Sequence, residues 1–233
     1  MAVSLYLAMT AAEMQRTDTL PEKLAYMACH FSPYGVGLSN CPDTLPAGSM
    51  LILNDRTPIS GHNPDLIAQQ LQTLVTDLHC DSVLLDFQRP DNTETMTLCR
   101  RLCADATCPI AVSELYAKEL SCSVFLSPPP LNIPLSVHLD TWQGREIWME
   151  AALESACIRI TKEGSHCTAL PYTPFAEEGF SDTALHCHYR QEVSPQEIRF
   201  YLQRSESDLF SLLQEAEALG IRRAVGLYQQ IKI

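Results

Sequence analysis

The chain has 233 residues and a formal net charge of −12. It is long enough to bury a full core without disulfide or metal staples, and its acidic balance excludes nucleic acid and anionic membranes as main partners. No apolar run reaches the length of a membrane span, and no linker divides the chain, so one domain over 1–233 is expected. The length suits a single (β/α)8 barrel on the short side.

Residues 2–8 alternate as a first strand, with neither the basic start nor the long apolar stretch of a signal peptide. A cytoplasmic protein is expected. Its ten cysteines, which form no paired framework, are then expected to be reduced thiols packed in helices and strands. Pro21 predicts a helix from there to about His30. A loop rich in Gly, Pro, Asn and Asp fills 32–48, and Ser49–Leu53 reads as a strand ending in the polar triplet Asn54-Asp55-Arg56. Asn63, Pro64 and Asp65 cap and open a helix with the stripe Leu66, Ile67, Leu71, Leu74, Val75 and Leu78. The strand 82–88 follows, completing a strand–helix–strand unit that calls for parallel strands.

Asp91 and Glu94 have the spacing of a capping box before a helix that turns Met96, Cys99, Leu102 and Cys103 inward. Strands are expected at Pro109–Leu115, Cys122–Ser127 and Leu135–Asp140. Glu146–Ala152 reads as a strand or a short helix; Trp148 and Glu150 share a face only as a strand. Beyond it, 158–170 reads as a β-hairpin, and 185–193 with 198–203 as another strand pair. Ser205 caps a last helix before the closing strand 223–228. The expected fold is α/β, a TIM-like (β/α)8 barrel, shortened and irregular in its C-terminal half.

Within Asp81-Ser-Val-Leu-Leu-Asp-Phe-Gln-Arg-Pro, Leu84, Asp86 and Gln88 lie on one face of a strand, with Val83, Leu85 and Phe87 on the other. The stretch resembles the fourth-strand signature of the family 18 glycoside hydrolases, the chitinase-like barrels, which reads D-x-x-D-x-D-x-E. Asp81 stands at its first Asp, Asp86 at its third, Phe87 at the aromatic place and Pro90 at the trailing proline. Leu84 replaces the middle Asp, and Gln88 stands where the resemblance implies the catalytic Glu. In that family the Glu protonates the leaving oxygen while the substrate's acetamide is the nucleophile. A glutamine has no proton to give, so that mechanism is not available to this sequence. Gln88 and Asp86 can still hydrogen-bond a sugar.

Acids at expected strand ends, Asp55, Asp86, Glu114, Asp140 and Glu150, converge on one mouth if the barrel closes. They can bind a polar ligand, run hydrolysis as a relocated carboxylate pair, or be simply solvated. His186 and His188 have a metal-ligand spacing, and His138 with Asp140 could join them, but no third ligand is identified by spacing. Tyr116, Trp142, Trp148, Tyr172 and Tyr228 are candidate stacking surfaces for a sugar ring. No phosphate loop or Ser/Cys nucleophile motif is present, and no cofactor is expected.

The expectation is a catalytically degenerate hydrolase relative that binds a carbohydrate or small polar ligand through Asp55, Asp86, Gln88, Glu114, Asp140 and Tyr228. The alternatives are an active hydrolase with relocated carboxylates, possibly metal-assisted, and a structural or interaction protein. Oligomeric state is not legible.

Overall fold

The structure, a computed structural model, describes residues 2–35, 37–90, 93–175 and 179–231. In chain order β1 (Ser4–Met9), α1 (Ala11–Arg16) and β2 (Leu24–Phe31) lead to a two-residue return strand, β3 (Leu38–Ser39). Then come β4 (Met50–Asn54), α2 (Pro64–Asp77), β5 (Ser82–Asp86), α3 (Thr93–Ala104), β6 (Ile110–Ser113), α4 (Glu114–Ala117), β7 (Ser123–Leu126), α5 (Leu135–Leu139) and β8 (Ile147–Ala151). An inserted antiparallel sheet follows, made of β9 (Glu154–Thr161), β10 (Gly164–Leu170), β11 (Phe180–Asp182), β12 (Cys187–Val193) and β13 (Glu197–Arg204). α6 (Glu206–Ala218) and β14 (Arg223–Leu227) complete the chain's regular elements. Eight parallel strands, β1-β2-β4-β5-β6-β7-β8-β14, close on themselves because β1 pairs with both β2 and β14.

The capped helix 64–77 forms as expected: the Asn63 side chain accepts the Asp65 N–H, and Pro64 sits in the first turn. Its inward face is Ile67, Ala68, Leu71 and Val75, whereas Leu66 is 62% exposed. The hairpin β9–β10, the pair β12–β13 and the Ser205 cap of α6 also follow the sequence. The expected capping residue Asp91 lies outside the described residues.

Two expectations are overturned. Residues from Pro21 to His30 do not form a helix but hold the second barrel strand. Leu24, Ala25 and Tyr26 are buried in succession, Ala25 inside the barrel and Tyr26 against the outer layer. A parallel strand covered on both faces shows no alternation to read. Leu135–Asp140, expected as a strand, is α5 followed by a 3₁₀ turn over Asp140–Trp142. Here Leu135 is buried and Val137 is 54% exposed; Leu139, four residues after Leu135, packs partly buried on the core, a helical spacing. The irregularity is also not confined to the second half. α1 has only six residues, none of them buried, and among the described residues β2 reaches β4 with no helix between them.

Inward side chains, including Tyr6, Met50, Ile52, Leu84, Phe125 and Trp148, fill the barrel. Val83, Leu85 and Phe87 face the helical layer, as the alternation of β5 requires. The end opposite the mouth is closed by polar groups. Asp81 accepts from Tyr6 Oη (2.7 Å) and Ser82 Oγ (2.6 Å) and pairs with Lys23 (3.6 Å). Glu146 accepts from Trp148 Nε1 at 3.2 Å, and Arg223 lies over the Trp148 ring. Among the described residues no helix is long and apolar enough to cross a membrane.

Arg204, whose side chain is 1% exposed, ties the inserted sheet together and to the barrel loop after β7. Its Nη1 donates to Glu154 Oε2 (2.7 Å), Nη2 to the Pro129 carbonyl (3.1 Å) and Nε to the His186 carbonyl (3.4 Å). Leu131, Ala156, Cys187 and Leu202 pack beside it. Removing one partner of a buried pair leaves the other charge uncompensated. Arg204→Ala is expected to cost about 3 kcal/mol, read as a lower urea midpoint, with loss of protection from amide exchange concentrated in 154–204.

Candidate functional site

The outgoing ends of β4, β5 and β8 carry Asn54, Asp86 and Glu150, with Asn54 and Asp86 opposite one another in the β4–β5 register. They line a cavity of about 520 Å³ together with His30, Gln88 and Phe125. Leu84, beneath Asp86 on the same strand face, lines it too. A neighbouring hollow of about 500 Å³ shares Gln88, Phe125, Ser127 and Glu150 and adds Glu114 and Lys118. The 32–48 loop contributes Asn40 to the wall, and among the described residues the space is open.

The segment carrying Gln88 is held from both sides. Asp55 is buried, and its two carboxylate oxygens accept the backbone N–H groups of Gln88 (3.0 Å) and Arg89 (2.8 Å). Arg89 returns the contact, Nε donating to the Asp55 carbonyl at 2.7 Å and Nη2 to the Arg56 carbonyl at 2.8 Å. From the β6 side, Ser113 Oγ donates to the Phe87 carbonyl (2.6 Å) and Tyr116 Oη to the Arg89 carbonyl (2.9 Å). The backbone leaving β5 is therefore fixed before any ligand arrives.

The exposed Gln88 side chain turns back on Asp86, its Nε2 donating to Oδ1 at 2.6 Å. Burial raises the Asp86 carboxyl above its ordinary range; the bond from Gln88 works against that rise and the Asp55 charge adds to it. Glu150 is shifted further, to about 7, by burial first and then by the Asp86 and Glu154 charges. The mouth thus holds one carboxyl that keeps its proton close to neutral pH beside another held by an amide.

Of the residues picked out in the sequence, Asp86, Gln88, Glu114 and Glu150 meet at this mouth. Glu114 is the first residue of α4, where it accepts from Ser127 Oγ at 2.7 Å. Asp55 is directed at the loop backbone and does not line the cavity. Asp140 is exposed on the 3₁₀ turn that precedes β8, bonded by Gln143, away from the mouth because its segment is helical. Tyr228 lines a groove outside the barrel with Leu5 and Leu7. The other aromatics are also elsewhere: Tyr116 and Trp142 in the outer core, Trp148 inside the barrel and Tyr172 against the α6 cluster. Phe125, 6% exposed, is the ring that reaches both hollows.

His186 pairs with Glu215, and His188 Nδ1 with Asp208 Oδ2 at 2.8 Å; both acids are on α6. The two imidazoles tie the inserted sheet to that helix. Among the described residues no three His, Cys, Asp or Glu side chains gather as a metal site. His30 and Lys118 were not picked out from the sequence. His30 would have been, had β2 been read as a strand, since it stands at the outgoing end.

This architecture is the fold of the chitinase-like barrels of glycoside hydrolase family 18. The class V chitinase of Nicotiana tobaccum superposes with a TM-score of 0.60 at 10% identity, over 97% of this chain and 93% of its own. The chitinase-like agglutinin RobpsCRA of Robinia pseudoacacia gives 0.59 at 11% identity, over 95% and 93%. The family 18 chitinase of Cycas revoluta, in complex with (GlcNAc)3, gives 0.59 at 10% identity, over 95% and 94%. A variant of that chitinase with a Gly-to-Trp and a Glu-to-Gln replacement is similar too and holds (GlcNAc)4. No protein-family model matches the sequence, and no curated protein matches it significantly.

Two measurements test this geometry. Asp55→Ala strands two backbone N–H groups and is expected to lower stability by about 2–4 kcal/mol, with the loss centred on residues 86–90 in amide exchange. The folded chain holds the Glu150 proton more tightly than the unfolded chain does. Stability is therefore expected to fall as pH rises from 4.5 through about 7, by up to about 3 kcal/mol. Glu150→Gln is expected to flatten that part of the unfolding-versus-pH curve.

Proposed function

We propose that the protein is a chitinase-like barrel that binds an N-acetylglucosamine-type oligosaccharide at its mouth without hydrolysing it by the family's route. The observation that carries this reading is Gln88. The resemblance of residues 81–90 puts it at the place of the family's proton donor, its amide is bonded to Asp86, and it lines an open cavity. An amide donates and accepts hydrogen bonds but releases no proton to a leaving group. Leu84 below it supplies no second carboxylate to pair with Asp86. The agglutinin among the similar folds, and the Glu-to-Gln chitinase variant that holds (GlcNAc)4, support binding without turnover. Asp86, Gln88 and Glu114 are the ligand-binding residues in this reading, with Asn54 and Glu150 beside them; Asp55 acts through the loop it holds.

A second reading rests on Glu150. A carboxyl that keeps its proton near neutral pH, at the rim of the same cavity, is a general acid in place of Gln88. It would make the protein an active hydrolase with a relocated acid.

Calorimetric titration with (GlcNAc)4, paired with chromatography of the sugar after prolonged incubation, separates the two. The binding reading expects saturable heat, intact sugar and an affinity about tenfold lower or worse in Asp86→Ala. Cleavage that vanishes in Glu150→Gln and declines above about pH 7 would replace it with the second reading. No heat and no cleavage would defeat both.

A further inference from the structure

Cys29 and Cys41 are neither at the mouth nor used by the reading above, yet their sulfurs lie 3.8 Å apart and share a hydrogen bond. Cys29 is fully buried on β2 in the outer core; Cys41 is half-buried on the loop that follows β3 and packs against the same cluster. The loop is drawn to β2 at a second point, where Tyr26 Oη donates to the Asn40 carbonyl at 2.7 Å. Asn40, in the left-handed region at φ 53°, turns the chain sharply between these two anchors and lines the mouth cavity.

We infer that Cys29 and Cys41 form a reversible disulfide that fastens the Asn40 segment to the second barrel strand. The sulfurs must close from 3.8 Å to about 2.05 Å, a distance that side-chain rotation on a loop can cover. The two thiols are unequal. The bond with Cys41 and burial hold the Cys29 thiol protonated, and the same bond pulls the Cys41 thiol down. The half-buried Cys41 is thus the attacking sulfur and Cys29 the resolving one.

The oxidant is a small-molecule disulfide, RSSR. Cys41 thiolate attacks one of its sulfurs, forms the mixed disulfide and expels RS⁻. Cys29 then loses its proton and displaces the second RS⁻ from Cys41 Sγ. Two protein S–H bonds become one S–S bond, and RSSR is reduced to two RSH. No third metal-ligating side chain joins the pair among the described residues. The inference does not depend on what the mouth binds.

The test uses the full reduced chain equilibrated with oxidised and reduced glutathione at a series of ratios, then quenched by alkylation. No lysine or arginine separates Cys29 from Cys41, so trypsin leaves both on the peptide 24–56. Chymotryptic cleavage after Phe31, Tyr34 or Leu38 is needed to reveal the link by mass spectrometry under non-reducing conditions. The expected result is a peptide pair joined through Cys29 and Cys41 with the loss of two hydrogens. Amide exchange around Asn40 should slow at least tenfold on oxidation, and neither change should occur in Cys41→Ser. A stable glutathione adduct on Cys41 with Cys29 still alkylatable would overturn the inference. So would Cys29 or Cys41 linking to another cysteine, or exchange around Asn40 unchanged by oxidation.

Discussion

Everything the mouth can do depends on the Asp55 carboxylate. Placed directly after β4, it accepts the backbone N–H groups of Gln88 and Arg89 and so decides where the chain goes on leaving β5. A buried carboxylate with both oxygens satisfied by amides is a strong, directional clamp. It leaves the Gln88 side chain free to lie along Asp86 and into the cavity. Asp55 has the chemistry of a ligand-binding acid, but its work is on the protein's own backbone.

The mouth that results is built around unequal carboxyls. On the inward face of β5, Leu84 and Gln88 stand on either side of Asp86, so that face carries one acid there. Asp86 is held by a neutral amide rather than by another acid. The acid that keeps a proton comes from a different strand, β8, where burial and two neighbouring negative charges act on Glu150 in the same sense. The acids of the mouth, Asp86 and Glu150, therefore come from two different strands.

The surroundings of the barrel follow from how the faces are covered. α1 buries nothing, and Leu5, Leu7 and Tyr228 line an open groove on the outer surface beside it. The inserted sheet is held by the buried Arg204 and by the two imidazole–carboxylate pairs to α6. The histidines that have a metal-like spacing in the chain face two different acids, and that is enough to explain them.

The chain by itself determined what local physics controls. The Asn63-Pro64-Asp65 helix start, the Ser205 cap, the two antiparallel pairs of the insertion and the alternation around Asp86 each rest on residues within a few positions of one another. Together with the residues at 81–90 they were enough to point to a family 18-like barrel. Tertiary structure decided the rest. β2 is buried on both faces and so carries no alternation, and α5 shows its helical spacing only once Leu135 and Leu139 are known to face the core together. Asp55 and Glu114 read alike as acids after a strand, yet one binds backbone and the other lines a hollow. That difference lies in which neighbouring strand supplies the donors, and strand order around a closed ring is set by contacts between residues far apart in the chain.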